Sequence, residues 1–151
     1  MAGSVLVDAG FLVALLSRRD GNHGWAAAQP SRFPPPWKTC EAVLSEAFHL
    51  LGAHGGRPLT ALLRRRAVVP AFELGADVEP VLKLLDKYAD VPMSLADACL
   101  VRMTETVPAP CFSPRMPTFA STAASHEIPV WRTEISRSRD GAHRGVIEII
   151  P

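Results

Sequence analysis

The stretch that most constrains the fold is residues 4–12, where a short apolar run stops at a carboxylate. Residues 5–7 are Val-Leu-Val, which predicts a buried β-strand. Asp8 follows directly, and the apolar run over residues 11–16 predicts the start of a buried helix. In open α/β sheets, ligands bind at the edge where the strands end. Asp8 is therefore the first candidate site residue.

The composition is that of one soluble domain. At 151 residues, with 48% hydrophobic and 21% charged residues, the chain can bury a single core. A formal net charge of +1 excludes a general polycation, so any surface that binds nucleic acid must be local. The N-terminus lacks the basic start of a signal peptide, and no stretch reaches the roughly 20 apolar residues of a membrane span. We expect a cytoplasmic protein.

The cysteine pattern agrees with that location. The chain has three cysteines, so at least one is unpaired, and no pair has the spacing of metal ligands. Reduced thiols are the simplest interpretation. The three are Cys40, Cys99 and Cys111.

Helical patterns alternate with short apolar strands along the first two thirds of the chain. This order predicts an α/β domain with a mostly parallel sheet. Thr39 is the predicted N-cap of one helix, Gly52 is its predicted end, and residues 68–72 look like an apolar connector. On that helix the predicted solvent stripe is Glu41, Ser45, His49 and Gly52, and the predicted core stripe is Val43, Ala47, Leu50 and Leu51.

Two further carboxylates stand in apolar surroundings. Glu46 lies between the two stripes, and Asp97 opens a helix after Ser94 with the spacing of a capping box. Each acid has a structural interpretation, as a boundary glutamate, a helix cap or a turn residue. The three can also converge on one point, where carboxylate ligands would select Mg²⁺ or Mn²⁺. Such a site is typical of phosphodiester hydrolysis.

Three segments carry a resemblance to a known family. Residues 5–8, 39–47 and 93–98 resemble the first three acidic motifs of PIN domains, most closely the VapC type, the ribonuclease toxins of toxin–antitoxin pairs. The resemblance runs from Val5 to about Glu105. It implies a PIN-like three-layer α/β/α domain with a short, mostly parallel sheet.

The resemblance also implies roles for the acids. Asp8 and Asp97 would bind Mg²⁺ or Mn²⁺ directly, while Glu46 would be a ligand, directly or through water, or would orient the attacking water. The substrate would be RNA, and the expected partners are a cognate antitoxin and a second copy of the chain. Ala9 departs from the family, where a hydroxyl residue is common, so one supporting bond to the first acid is missing.

The C-terminal part departs further from the family. A fourth motif, Thr-Asp-x-Asp-Phe or similar, is usual after the third acid, but residues 111–122 contain no acid. When the reading frame is shifted by two bases, codons for this run can encode Leu-Leu-Thr-Thr-Asp-Ala-Asp-Phe-Arg-Val-Tyr-Arg, which contains the missing motif. We therefore hypothesise that this segment is translated out of the ancestral frame. The alternative is a divergent proline-rich loop. We expect one PIN-like domain that resembles the family over residues 1–107, an irregular segment at 108–145 and a last strand at 146–150.

The missing motif leaves the function open between classes. The first hypothesis is a metal-dependent endoribonuclease, and the alternative is a catalytically impaired PIN-like module that binds RNA or antitoxin. An unrelated domain with Asp8 as phosphate acceptor ranks last, because no glycine-rich loop accompanies it. Residues 18–19 and 64–66 are arginines that could contact phosphates, although solvated helix ends are the favoured interpretation.

Overall fold

The computed structural model describes residues 4–90 and 92–107, and two strands at 131–134 and 146–149. In chain order the described elements are β1 (Val5–Leu6), α1 (Ala9–Leu16), α2 (His23–Arg32), β2 (Trp37–Thr39), α3 (Glu41–Arg64), β3 (Val68–Pro70), α4 (Leu74–Lys87), α5 (Leu95–Thr106), β4 (Trp131–Glu134) and β5 (Val146–Ile149). The predicted mixed α/β architecture is confirmed. The hypothesis of a shifted frame concerns residues outside the described ranges.

A short parallel sheet holds the domain together. The strand order is β1-β2-β3, and Val5 and Val68 both pair with Trp37 of the central strand. β3 lies in the segment predicted as a connector, because three apolar residues have no periodicity of their own and only pairing with β2 makes them a strand. β4 and β5 pair antiparallel in a separate two-stranded sheet.

The core lies between this sheet and the helices. Phe11 is 1% exposed. Its ring forms edge-to-face contacts with Trp25 and Trp37, with distances between ring centroids of 6.2 Å and 5.3 Å, respectively. This aromatic cluster joins α1, α2 and β2. The other large side chains that are fully buried are Leu12, Leu59, Met103, Val7, Val43, Val68 and Val81.

The first half of α3 follows the prediction, with one exception. Val43 and Ala47 are buried, and the predicted solvent stripe is exposed, but Leu50 is 56% exposed instead of buried. Leu51, one residue further along, packs against the core instead, so the side of α3 that faces the core passes through Leu51 and not through Leu50. The predicted helix end at Gly52 is a kink: Gly52 leaves helical geometry at φ 62°, and helical structure continues to Arg64.

Candidate metal centre

Asp8 lies at the carboxyl edge of the sheet and caps α1. Its Oδ1 accepts a hydrogen bond of 2.7 Å from the backbone N–H of Phe11, which satisfies one of the free donors at the helix start. The following helix and the preceding strand therefore both fix this carboxylate. Its structural and functional interpretations are compatible, because one capping bond occupies one oxygen.

Thr39 fixes the strand end that carries Asp8. The N-cap of α3 is Cys40, so the prediction of Thr39 as the N-cap is wrong. Thr39 instead ends β2, and its fully buried hydroxyl donates a hydrogen bond of 2.9 Å to the carbonyl of Val7. The N–H of Val7 in turn donates to the carbonyl of Lys38 at 3.0 Å. Sequence reasoning missed this role, since the signal of an N-cap threonine is the same as that of a strand-end threonine.

Thr39→Val is expected to lower the free energy of unfolding by about 1–3 kcal/mol, because it leaves the buried carbonyl of Val7 without a donor while keeping the side-chain shape. Urea denaturation measures the change. The matched control is Thr60→Val, since the Thr60 hydroxyl donates to the carbonyl of Gly56 on the partly exposed helix α3. Equal losses in the two variants would contradict this role of Thr39.

Asp97 sits in the first turn of α5 and completes the predicted capping box. Oδ2 of Asp97 accepts hydrogen bonds from both the backbone N–H and the Oγ of Ser94, each at 2.9 Å. Ser94 Oγ accepts in return from the backbone N–H of Asp97 at 3.1 Å. Among the described contacts, the carboxylate of Asp97 accepts its capping hydrogen bonds through Oδ2, so its Oδ1 remains available to a ligand.

Glu46 lies in the second turn of α3, half-buried, as the boundary position predicted. It is close enough to both aspartates for their charges to raise its pKa, although burial raises that pKa more. α3 starts directly after β2, so its first turns stand at the same edge of the sheet as Asp8. Three segments distant in the sequence thus converge at one edge.

The electrostatics of the three acids are unfavourable without a cation. Burial raises the pKa of Asp8 above its ordinary value, the charge of Asp97 raises it further, and the hydrogen bond from Phe11 lowers it. A like charge nearby disfavours ionisation, so Asp97 opposes the ionisation of both Asp8 and Glu46, and Asp8 opposes that of Glu46. Carboxyls perturbed in this way are typical of functional sites, where a bound cation would relieve the repulsion.

The donor chemistry of the site fits a hard divalent cation. Carboxylate oxygens are the ligands that Mg²⁺ prefers, and this ion commonly uses one or two carboxylates and keeps several waters. Within the described residues, no three His, Cys, Asp or Glu side chains stand close enough to hold one ion between them. The oxygens that such an ion could use are Oδ2 of Asp8 and Oδ1 of Asp97, because the capping hydrogen bonds involve the other oxygen of each carboxylate.

A groove of about 460 Å³ opens beside the acids. Glu46 lines it, so the groove and the acidic cluster share a residue. The remaining lining comes from the same face of α3 and from the start of α5, namely Ala42, Ser45, His49, Ser94, Leu95 and Ala96.

Other candidate groups stand apart from this chemistry. Cys40 and Cys99 are free and buried, and burial raises the pKa of the Cys99 thiol to about 12, so it stays protonated at neutral pH. Residues 18–19 follow the end of α1, and residues 64–66 are the last residue of α3 and the two residues after it. Residues 64–66 come just before β3, which is parallel to β1 and β2, so these arginines lie at the edge of the sheet opposite Asp8.

The fold has a known counterpart among solved structures. The crystal structure of VapC20 from Mycobacterium tuberculosis, described as a sarcin-ricin loop cleaving toxin, matches with a TM-score of 0.57 and 26% sequence identity. The match covers 68% of this chain and 82% of that one. No protein-family model and no curated protein matches the sequence. The chain has a PIN-like fold of the VapC type, and none of its described helices is long and apolar enough to cross a membrane.

Proposed function

We propose that this protein is a metal-dependent endoribonuclease of the toxin–antitoxin type, which hydrolyses RNA phosphodiester bonds at Asp8, Glu46 and Asp97. The observation that carries the proposal is the closeness of the three acids at one edge of the sheet, where the charge of Asp97 raises the pKa values of both Asp8 and Glu46. The RNA-cleaving activity in the description of the structural neighbour supports the same chemistry.

Asp8 and Asp97 are the proposed ligands of Mg²⁺ or Mn²⁺, each through the carboxylate oxygen that accepts no capping hydrogen bond. When bound, the ion would activate water and neutralise charge on the phosphate. Glu46 lies on the groove side of the site, where its carboxylate can accept a hydrogen bond from the attacking water and orient it. The raised pKa of Glu46 makes it a better proton acceptor than an ordinary exposed glutamate.

The proposal is tested with an end-labelled stem-loop RNA in Mn²⁺, in Mg²⁺ and in EDTA. Wild-type protein is expected to cleave only with a divalent ion. Asp8→Asn and Asp97→Asn are each expected to lose at least roughly 100-fold in rate, because the loss of a ligand exceeds the 10–100-fold typical of a supporting residue. Glu46→Gln should retain metal binding, seen as metal-dependent thermal stabilisation, but lose rate.

Asp86→Asn is the matched control, because Asp86 is an exposed carboxylate on α4. It should cleave like the wild type. Cleavage that persists unchanged in Asp8→Asn and Asp97→Asn would show that the activity does not come from this site, and the assignment would fail.

The second candidate is a catalytically impaired PIN-like module that binds RNA or antitoxin. Its support is the sequence of residues 111–122, which contains no acid where the family usually has its fourth acidic motif. RNA binding that is measurable by fluorescence anisotropy, with no cleavage in either metal, would favour this module over the enzyme.

The proposed function includes a cytoplasmic location, a small antitoxin protein as partner and a homodimeric state. Light scattering after size-exclusion chromatography measures the mass of the isolated protein, and a mass near 16 kDa, that of one chain, would contradict the dimer.

A further inference from the structure

We propose that the groove beside the acids binds the base of a nucleotide that flanks the cleaved phosphodiester bond, with Leu95 and His49 as its specificity-determining contacts. This inference rests on the proposed function and names the part of the substrate that the groove takes.

The groove has two walls. One is a single face of α3, whose members Ala42, Ser45, Glu46 and His49 follow the helical spacing i, i+3, i+4, i+7. The other is the start of α5. Glu46 belongs to both the groove and the acidic cluster. A nucleotide whose phosphate lies at the acids therefore has its base within reach of the groove.

The chemistry of the lining favours a base over a phosphate. Among the lining residues the only carboxylate is Glu46, and none is lysine or arginine, so a phosphate would meet repulsion. Leu95 is 43% exposed, although it is a large apolar side chain in a concave surface. A planar ring that lies on Leu95 and the small Ala42 and Ala96 would remove this apolar surface from water.

The rim supplies the polar contacts that a base needs. His49 and Ser45 are both exposed on the α3 wall. An imidazole can stack on a base, and a hydroxyl can bond to its edge, as in the recognition of unpaired RNA bases. The volume of about 460 Å³ is in the range of pockets that hold small molecules.

A double-mutant cycle between protein and RNA tests the contact with Leu95. The cleavage site of wild-type protein is mapped on a stem-loop RNA, and an abasic ribose then replaces each of the two flanking nucleotides in turn. Removal of one of these bases should lower kcat/KM about 10-fold, the size of a lost stacking contact. Leu95→Ser should lower kcat/KM on intact RNA by a similar factor. In that variant, removal of the same base should lower kcat/KM little further.

The chain offers matched controls. Leu82→Ser replaces a leucine that is 47% exposed on α4, outside the groove, and should leave kcat/KM and the abasic effect as in the wild type. His49→Ala should raise KM several-fold and alter the preferred nucleotide, whereas His54→Ala, an exposed histidine further along α3, should not.

Equal abasic effects in wild type and Leu95→Ser would overturn the inference, even if cleavage by the acids is normal. Failure of the proposed function looks different, because wild-type protein would then cleave nothing in Mn²⁺ or Mg²⁺. In that case each loop base of the uncleaved RNA is removed in turn, and its affinity for wild type and for Leu95→Ser is measured by fluorescence anisotropy. Losses that are additive at every position overturn the inference there.

Discussion

Replacing Asp8 with asparagine is expected to stabilise the metal-free protein at neutral pH while it abolishes stabilisation by Mn²⁺. The side-chain oxygen of asparagine can still accept the N–H of Phe11, so the cap of α1 survives. The variant removes a carboxylate whose ionisation burial and Asp97 both oppose. Each 1 kcal/mol gained would raise the melting temperature of a chain of this size by about 2–4 °C.

The pH dependence has a definite sign. The folded protein holds the Asp8 carboxyl at a pKa above its ordinary value of 3.8, so the folded state binds a proton more readily than the unfolded state. The contribution of Asp8 to stability is greatest below pH 3.8 and is lost as the pH rises through the raised pKa. The advantage of Asp8→Asn over wild type should therefore grow with pH above 3.8.

Divalent ions should reverse the order of the two proteins. At a Mn²⁺ concentration 100 times the dissociation constant, binding stabilises the folded state by about 2.7 kcal/mol. Wild type should gain this increment, and Asp8→Asn should gain little. Thermal melts in EDTA and in Mn²⁺ at several pH values give both results, with Asp86→Asn as control. A metal-free Asp8→Asn protein less stable than wild type at pH 7 would show that Asp8 serves mainly as a cap.

Phe11→Ala is expected to cost about 3–5 kcal/mol of the free energy of unfolding, the largest loss for a single side chain in the described core. Its ring is 1% exposed and meets both Trp25 and Trp37 edge to face. A loss of this size is comparable with the whole stability of many domains, about 5–15 kcal/mol. Urea denaturation followed by tryptophan fluorescence measures the loss.

Phe48→Ala provides the comparison, because Phe48 is 37% exposed on α3. Its loss should stay below roughly 1 kcal/mol. If Phe11→Ala does not fold, Phe11→Leu keeps most of the apolar volume and should fold with a smaller loss. Similar losses for Phe11→Leu and Phe48→Ala would contradict the central role of the aromatic cluster.

Local patterns were enough to predict much of the fold and the candidate acids. The strand that ends at Asp8, the capping box of Ser94 and Asp97, and the exposed and buried stripes over residues 41–47 all follow from spacing and propensity. Spacing and propensity act between residues that are a few positions apart, so features that depend on them can be predicted without the tertiary structure. The catalytic roles of the three acids, which the resemblance implies, remain predictions.

Other features depend on contacts between distant segments. β3 exists because Val68 pairs with Trp37, and the exposure of Leu50 depends on which side of α3 packs against the core. Thr39 holds the carbonyl of Val7 across 32 positions of the sequence. Patterns among neighbouring residues do not identify these distant partners, because the assembled fold sets the pairing between strands and the packing of helices on them.

The same division applies to the site. The sequence by itself determined that Asp8 follows a strand, that Asp97 opens a helix and that Glu46 lies between the exposed and buried faces of a helix. Strand termination, capping and helical periodicity are local properties. Only the tertiary structure decided that these carboxylates influence one another and that Leu95 faces a groove beside Glu46. Charge repulsion and burial depend on distance in space, and the parallel sheet brings those residues to one edge.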